Sequence, residues 1–436
     1  MKSDPRKAAV KALSRWERDG KYINLELDSA LERSELSGAD RSLAAAIMYG
    51  VAERKLTLDR EIARLTGRKL ASLDAETLAS LRAGLYQLVY MDKIPPFAAV
   101  NETVSAAPTR SRGLVNASLR RFMREGAKIS LPDRDADEAE YLSVLCSVPK
   151  WIISSWMHDY GDDAEQLAEA ANSVPPVTLR VNTLKTSADE LLSRFEADGV
   201  GARLSDAAPD MIELASGGRI TELFGYEDGL WFVQDPASRL AALALDVKPG
   251  MTVVDVCSAP GGKSFSAAID MRDEGKIFSR DLHENKVRLI KKGAERLGIT
   301  SISASAFDSS RTDGELVGKA SRVLCDVPCS GLGVIAKKPD IRYKTEEDVR
   351  RLPDVQYAIL SASCPLVADG GVLIYSTCTL RDAENGDVRD RFLAEHPEFE
   401  PWLPNSFPIR SDDAQITLMP HKHGTDGFYI AGFKRK

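Results

Sequence analysis

The stretch "MTVVDVCSAPGGKS", Met251–Ser264, decides the fold. Its first half is a short apolar run ending near Asp255, the length of a strand rather than a helix. Its second half is a turn of small residues, Ser258, Ala259, Gly261 and Gly262, leading into the helical segment "KSFSAAIDMRD". Strand, glycine turn and helix form the opening unit of a doubly wound parallel sheet. The rhythm then repeats. "KIFSRDLH" reads as a strand, "ENKVRLIKKGAERLG" as a helix stopped by Gly298, and "ISASAFDSS", "RVLCDVPCS" and "GVLIYSTC" as further strands. Ligands of such sheets bind beyond the carboxyl ends of the strands. Asp255 to Gly262, Asp281, Asp308, Asp326 and Cys378 all fall at those ends.

The turn restricts the ligand. It is not G-x-G-x-x-G, which disfavours a nicotinamide or flavin dinucleotide. It ends in Gly262-Lys263-Ser264, but a phosphate-wrapping loop needs glycine where Cys257 stands. Asp281 lies 26 residues after Asp255, near the spacing of a ribose-binding carboxylate. Asp308, one strand later, is a candidate for an adenine amino group. Each aspartate alone reads better as a turn or helix cap; that reading weakens when three fall at successive strand ends. A ribose and an adenine without a phosphate loop describe S-adenosylmethionine.

Two cysteines end neighbouring predicted strands, Cys329 in "CDVPCSGLGV" and Cys378 in "VLIYSTCTLRDAEN". Parallel neighbours lie about 4.8 Å apart, so the two turns can face one pocket. Six scattered cysteines and no signal-type leader favour a reducing cytoplasm over a disulfide framework. Zinc is disfavoured: Cys325 falls within a strand, Cys364 within a helix, and there is no C-x-x-C. No apolar run reaches membrane-spanning length.

Upstream, residues 1–130 carry helical periodicity throughout. Leu78, Leu81, Leu85, Leu88 and Val89 share one helix face, and Gly126 closes the last helix. A linker is expected over 127–140 and an α+β subdomain over 141–245, with Thr186 or Ser187 capping a helix. The net charge of -7 conceals an asymmetry: residues 1–130 hold 23 Lys and Arg against 16 Asp and Glu. A basic head on an acidic body is compatible with RNA binding, and equally with a solvated helical surface.

"DVCSAPGGKS", "DVPCSGLGV" and "YSTCTLRDAEN" together resemble three motifs of the RNA 5-methylcytosine methyltransferases, the Sun/Nop family. "FVQDPASRLAALAL" and "HKHGTDGFYIAGFKR" resemble further stretches of it, and Ser258 stands where the family commonly has alanine. The head, with "DRSLAAAIMYGVAERKLTLDREI" and "GLVNASLRRF", resembles the NusB-like RNA-binding domain. The resemblance covers nearly the whole chain. It implies an α/β fold: a Rossmann-like class I S-adenosylmethionine-dependent methyltransferase sheet over 246–436, preceded by a small α+β subdomain and an all-α NusB-like domain.

The same resemblance implies Cys378 as nucleophile, Cys329 in product release and Asp326 at the N3/N4 edge of the base. It implies a cofactor site of Cys257, Ser258, Ala259, Pro260, Gly261, Gly262, Lys263, Asp281, Asp308 and Asp326, with Lys263 alternatively orienting the Cys329 turn. Lys337, Lys338, Arg342 and Lys344, in "AKKPDIRYK", are candidate RNA-phosphate contacts, and Arg180 in "RVNTL" a weaker one. The implied partner is 16S ribosomal RNA, free or in an early assembly particle. The expected enzyme is cytoplasmic and monomeric, without a metal. Transfer RNA as substrate, or a non-catalytic ribosome-assembly factor, are the competing readings.

Overall fold

A computed structural model describes residues 4–20, 23–33, 36–215 and 220–436. The chain forms two compact units. One is Met1–Ser173 with Ile335–Tyr343; the other is Val174–Val334 with Lys344–Lys436. Among the described residues no helix is long and apolar enough to cross a membrane.

The first unit is helical. Its long helix Gly38–Thr66 and the helix Ala75–Tyr90 bury Ile47, Val51, Leu58, Leu78, Leu81 and Leu85 in one core. Leu88 and Val89 pack at the margin of that core, on the face their spacing predicts. Asp74 caps the second helix by accepting from the Thr77 amide at 3.1 Å. Arg82 is buried on it, paired with Asp59 and Glu17. The helix Arg112–Arg124 ends before Gly126, which adopts φ +95°. The expected linker is shorter than 127–140, because Asp137 caps a helix over Glu138–Cys146. Two more helices, Lys150–Tyr160 and Asp163–Ala170, belong to this unit rather than to the sheet that follows.

The segment Ile335–Tyr343 is part of the helical core. Its residues 339–343 form a 3-10 turn. Asp340 accepts from the Trp16 indole at 3.1 Å and the Ile23 amide at 3.0 Å. Arg342 is fully buried and donates to the carbonyls of Glu53, Ser147 and Ala171. Tyr343 donates to the Ala52 carbonyl and meets Trp16 edge to face. The expectation of Arg342 as an RNA contact is therefore corrected: its guanidinium is spent on internal carbonyls, away from solvent.

The second unit opens with an antiparallel sheet of β1 (Val177–Val181), β2 (Ala202–Leu204), β3 (Met211–Leu214) and β4 (Trp231–Val233), in the order β2-β3-β1-β4. The period-two rule sorts β1. Leu179 and Val181 join Phe195 and Trp231 in the core of this small sheet. Arg180 points the other way, wholly buried, onto Asp270 at 3.1 Å. Asp270 also receives Arg239 at 2.5 Å. Arg180 thus ties the small sheet to a helix of the large one, and its expected role as an RNA contact is corrected too. The helix Ala188–Ala197 is capped by Ser187, which accepts from the Glu190 amide at 3.2 Å.

The large sheet contains β5 (Thr252–Asp255), β6 (Lys276–Asp281), β7 (Ile302–Ala306), β8 (Ala320–Asp326), β9 (Val367–Thr377), β10 (Phe399–Pro401), β11 (Gln415–Leu418) and β12 (Phe428–Arg435). Its order is β10-β12-β9-β8-β5-β6-β7, with β11 also on β12. From β9 to β7 the strands are parallel, as the strand-helix rhythm predicts. β12, with β10 and β11 beside it, adds an antiparallel flank that the rhythm did not predict. Alternate residues serve opposite layers. Val253, Ile277, Leu324 and Ile374 pack with the helices Pro236–Ala244, Gly262–Asp270 and Glu284–Leu297. Val254, Val323, Leu373 and Tyr375 pack with Leu352–Ser363 and Gly386–Glu395. Both faces are covered, so the strands read as nearly continuous apolar runs. The strand order reverses between β5 and β8, and the turns after these strands border the crevice.

Candidate active site

After β5 the chain turns through residues 257–261 into the helix at Gly262. Asp255 is buried; its Oδ2 accepts from the Ser264 hydroxyl at 2.6 Å, while Oδ1 has no hydrogen-bond partner among the described residues. Burial pushes its pKa up to about 7. Ser258 donates through its amide and hydroxyl to the Arg280 carbonyl, at 2.8 and 3.0 Å, so the turn leans on β6. Gly261 holds φ +113°, and a Cβ there would stand 2.3 Å from the Phe265 ring. Only glycine fits that step.

Asp281 ends β6 with a mostly buried side chain that accepts from the amides of Ala259 at 3.4 Å and His283 at 3.1 Å. The turn and this carboxylate therefore stand together. They fit the adenosyl ribose of S-adenosylmethionine in chemistry: an acceptor for hydroxyls beside a turn of small residues. Asp308 follows β7, exposed, and accepts from the Ser310 amide and hydroxyl at 3.1 and 2.7 Å. Its hydrogen bonds to Ser310 hold it below the usual carboxylate range.

Lys263 reaches across the crevice. Its ammonium donates to Asp326 Oδ2 at 2.7 Å and to the Ser238 hydroxyl at 3.3 Å, and lies 5.1 Å from the centre of the Phe428 ring. Burial opposes the charge on Lys263, but Asp326 outweighs it and the pKa rises. Of the two expectations for Lys263, orienting the loop after β8 agrees with this pairing. Asp326 Oδ1 also accepts from the Ser376 hydroxyl at 2.9 Å. Asp326 and Ser376 are register partners on β8 and β9, so the sheet itself sets this contact.

Beyond that register pair the two cysteines converge, with Cys329 Sγ 3.2 Å from Cys378 Sγ. Both are thiols, half-buried. The contact with Cys378, together with burial, raises the Cys329 pKa well above that of a free thiol. Cys378 lies within electrostatic reach of the Lys263 ammonium. Residues without an individual sequence signal complete the surroundings. Gln356 lies inside a helix and donates to the Pro328 carbonyl at 3.0 Å and to Glu384 Oε2 at 2.9 Å. Only its position in space distinguishes it from any other helical glutamine.

The candidate RNA contacts separate. Lys337 and Lys338 are exposed. Lys344 is half-buried and donates to the Ser330 carbonyl at 2.7 Å, which makes it a support of the Cys329 loop. Arg180 and Arg342 are interior, as described above.

A family model described as 16S rRNA methyltransferase RsmB/F matches residues 242–434. The NusB family model matches 3–124, and a ferredoxin-like domain model of RsmF/B-like methyltransferases matches 148–221. The chain is 38% identical to "Probable ribosomal RNA small subunit methyltransferase B" of Bacillus subtilis (strain 168), covering 100% of this chain and 99% of the relative. It is 35% identical to the protein of the same description in Synechocystis sp., over 95% of each. The crystal structure of PH0851 matches with a TM-score of 0.81 and 25% identity, covering 100% of both chains. The chain belongs to the ribosomal RNA small subunit methyltransferase B family.

Proposed function

We propose that the protein transfers the methyl group of S-adenosylmethionine to C5 of a cytosine in 16S ribosomal RNA, acting as a cytoplasmic monomer. The observation that carries the reading is the 3.2 Å approach of Cys329 and Cys378 beside the Lys263–Asp326 pair.

Cytosine C5 is a weak nucleophile until C6 is saturated. The Cys378 thiolate adds to C6, forming an S–C6 bond and moving electron density to C5. The positive charge of Lys263 favours that thiolate. Asp326 meets the N3/N4 edge of the base and stabilises the charge developing there. S-adenosylmethionine, when bound, supplies an electrophilic methyl on a sulfonium. C5 takes it. Once C5 is methylated, Cys329, whose thiol form Cys378 and burial favour, first gives its own proton to solvent and then takes the C5 proton. The pair of electrons left behind restores the C5–C6 double bond and expels Cys378 as thiolate. Asp281 would hold the ribose hydroxyls, and the turn Cys257–Gly262 would admit the methionine end. Asp308 would offer an oxygen to the adenine amino group. Lys337 and Lys338 contact RNA phosphates. The target base is unstacked, because C6 is not accessible within a helix.

The test is incubation with labelled S-adenosylmethionine and either 16S rRNA or transfer RNA, followed by nucleoside analysis. Label in 5-methylcytidine from 16S rRNA is expected. Label in another nucleoside, or only in transfer RNA, overturns the proposal. Cys378→Ala is expected to abolish turnover, and Cys329→Ala to accumulate a covalent RNA–protein complex. A complex trapped by Cys378→Ala instead reverses the two roles.

A further inference from the structure

The sulfur pair lies past the last ladder contact between β8 and β9, the Val327 amide donating to the Ser376 carbonyl at 3.1 Å. Beyond it, the loops around the two cysteines need other restraints. Two come from within: the Ser330 and Thr379 hydroxyls meet at 2.6 Å, and the Gly333 amide donates to the Cys378 carbonyl at 3.0 Å.

Lys344 holds the Ser330 carbonyl at 2.7 Å, and a further set of restraints converges on two consecutive residues. Glu384 Oε2 accepts from the Ser330 amide at 2.8 Å and from Gln356 Nε2 at 2.9 Å. Gln356 Nε2 also donates to the Pro328 carbonyl at 3.0 Å. The peptide groups on either side of Cys329 are thus held by one carboxylate and one amide. Asn385 Oδ1 accepts from the Thr377 hydroxyl at 2.6 Å, and Asn385 Nδ2 donates to the Thr379 carbonyl at 3.0 Å. The residues on either side of Cys378 are held by one side chain. Tyr375, on β9, donates to the Glu384 carbonyl at 2.5 Å and fixes the pair to the sheet.

Glu384 and Asn385 are fully buried. Among the described residues Glu384 Oε1 has no hydrogen-bond partner, and Arg381 approaches it only to 3.8 Å. A buried carboxylate with an unmatched oxygen is costly to keep. Its second oxygen spans the two groups that fix the Cys329 loop, so the loop needs an acceptor oxygen at this place.

We infer that Glu384 and Asn385 are positioning residues, one gripping each cysteine loop, and together set the separation of the Cys329 and Cys378 sulfurs. The consequence for turnover rests on the covalent reading above; the geometric claim does not. Neither side chain is hydrogen-bonded to a sulfur in the contacts above; a charge on Glu384 also bears on the Cys329 thiol through space, and Glu384→Gln separates that action from the grip on the loop. With the clamp released, Cys329 moves off the C5 side of the adduct and release slows while cofactor binding stays intact.

Two measurements separate the geometry from the chemistry. The first is disulfide closure in the full-length protein without RNA, using copper phenanthroline and oxygen. Two thiols lose two protons and two electrons, and the Cys329–Cys378 bond is mapped by peptide mass. Closure requires the sulfurs to come from contact to bonding distance in a restricted geometry. Glu384→Ala and Asn385→Asp, whose new carboxylate faces the Thr379 carbonyl, are expected to slow closure by at least about tenfold. Glu384→Gln is expected to stay near wild type. Its carbonyl oxygen can keep both contacts of Oε2, with the amide nitrogen in the place of the unmatched oxygen.

The second measurement is methyl transfer. Glu384→Ala and Asn385→Asp are expected to lower kcat on the order of 10²-fold with an unchanged KM for S-adenosylmethionine, and to accumulate RNA–protein adduct. Glu384→Gln restores kcat. Wild-type closure rates in both Glu384→Ala and Asn385→Asp overturn the inference. Should Glu384→Ala fail to fold, Asn385→Asp alone decides it. Slowed closure without any adduct upholds the positioning role and counts against the covalent mechanism instead.

Discussion

Lys263 and Asp326 meet at 2.7 Å across the point where the strand order reverses, one from the first turn of the helix after β5 and the other from the end of β8. The pair joins the cofactor side of the crevice to the base side. Lys263→Met removes the cation that pairs with Asp326 and favours the Cys378 thiolate. Methyl transfer is expected to fall on the order of 10²-fold. At a fixed pH near neutrality, alkylation of Cys378 by iodoacetamide slows, read by peptide mass. Lys263→Arg keeps the charge and recovers part of both. Unchanged alkylation in Lys263→Met would show that Lys263 does not activate the thiol.

Much of this site is legible in the sequence because strand ends are legible. Asp255, Asp281, Asp326 and Cys378 each fall at or just past the end of a strand segment, and a parallel sheet gathers such ends on one edge. The pairing of Lys263 with Asp326 was one of two options; it follows from a crevice whose width no spacing encodes. Arg180 and Arg342 fail for a different reason. Positive charge usually marks a surface, but both guanidiniums find enough internal acceptors to be buried. For Arg342 those acceptors lie up to 289 positions away in the chain, beyond any local pattern. The antiparallel β12 is hidden likewise, since an apolar strand carries no mark of its direction.

Arg342 supports the helical unit, so its loss is a stability event. Arg342→Met strands the carbonyls of Glu53, Ser147 and Ala171. The expected cost is about 3 kcal/mol to the helical unit, measured by urea unfolding with a probe at Trp16. The salt dependence of RNA binding by the still-folded variant is expected to stay unchanged. Lys337→Gln and Lys338→Gln, exposed, are each expected to lower the magnitude of that salt slope by about 1. An altered slope in Arg342→Met would return this residue to the RNA.

Gly333 and Gly427 cross back to back beside the nucleophile. The Gly427 amide donates to the Gly333 carbonyl at 2.9 Å, and the Gly333 amide holds the Cys378 carbonyl. A Cβ at Gly333 would stand 1.9 Å from the Gly427 carbonyl oxygen, which is backbone and has little room to yield. Gly333→Ala therefore separates the Cys329 loop from the lead into β12. Activity is expected to drop on the order of 10²-fold. Affinity for S-adenosylmethionine, measured by calorimetry, is expected to stay within a few fold, because Asp281 and the 257–261 turn lie on the other strands. A matching loss of cofactor affinity would mean that the damage spreads through the sheet.

Asp255 has a consequence for stability across pH. Burial favours its protonated form, and its folded pKa of about 7 exceeds the unfolded value of roughly 3.9. The folded state then holds a proton that the unfolded state has released between those two values. Its contribution is fully present below the lower value, declines as pH rises, and is gone above about 7. Asp255→Asn is neutral throughout and its Oδ1 can keep the Ser264 contact. The wild type is expected to lose on the order of 2–4 kcal/mol relative to Asp255→Asn between pH 4 and pH 7.5. Urea unfolding of both proteins across that range measures it. Parallel stability curves would mean that Asp255 is ionised in the folded protein, and the unmatched Oδ1 would then need a partner from solvent.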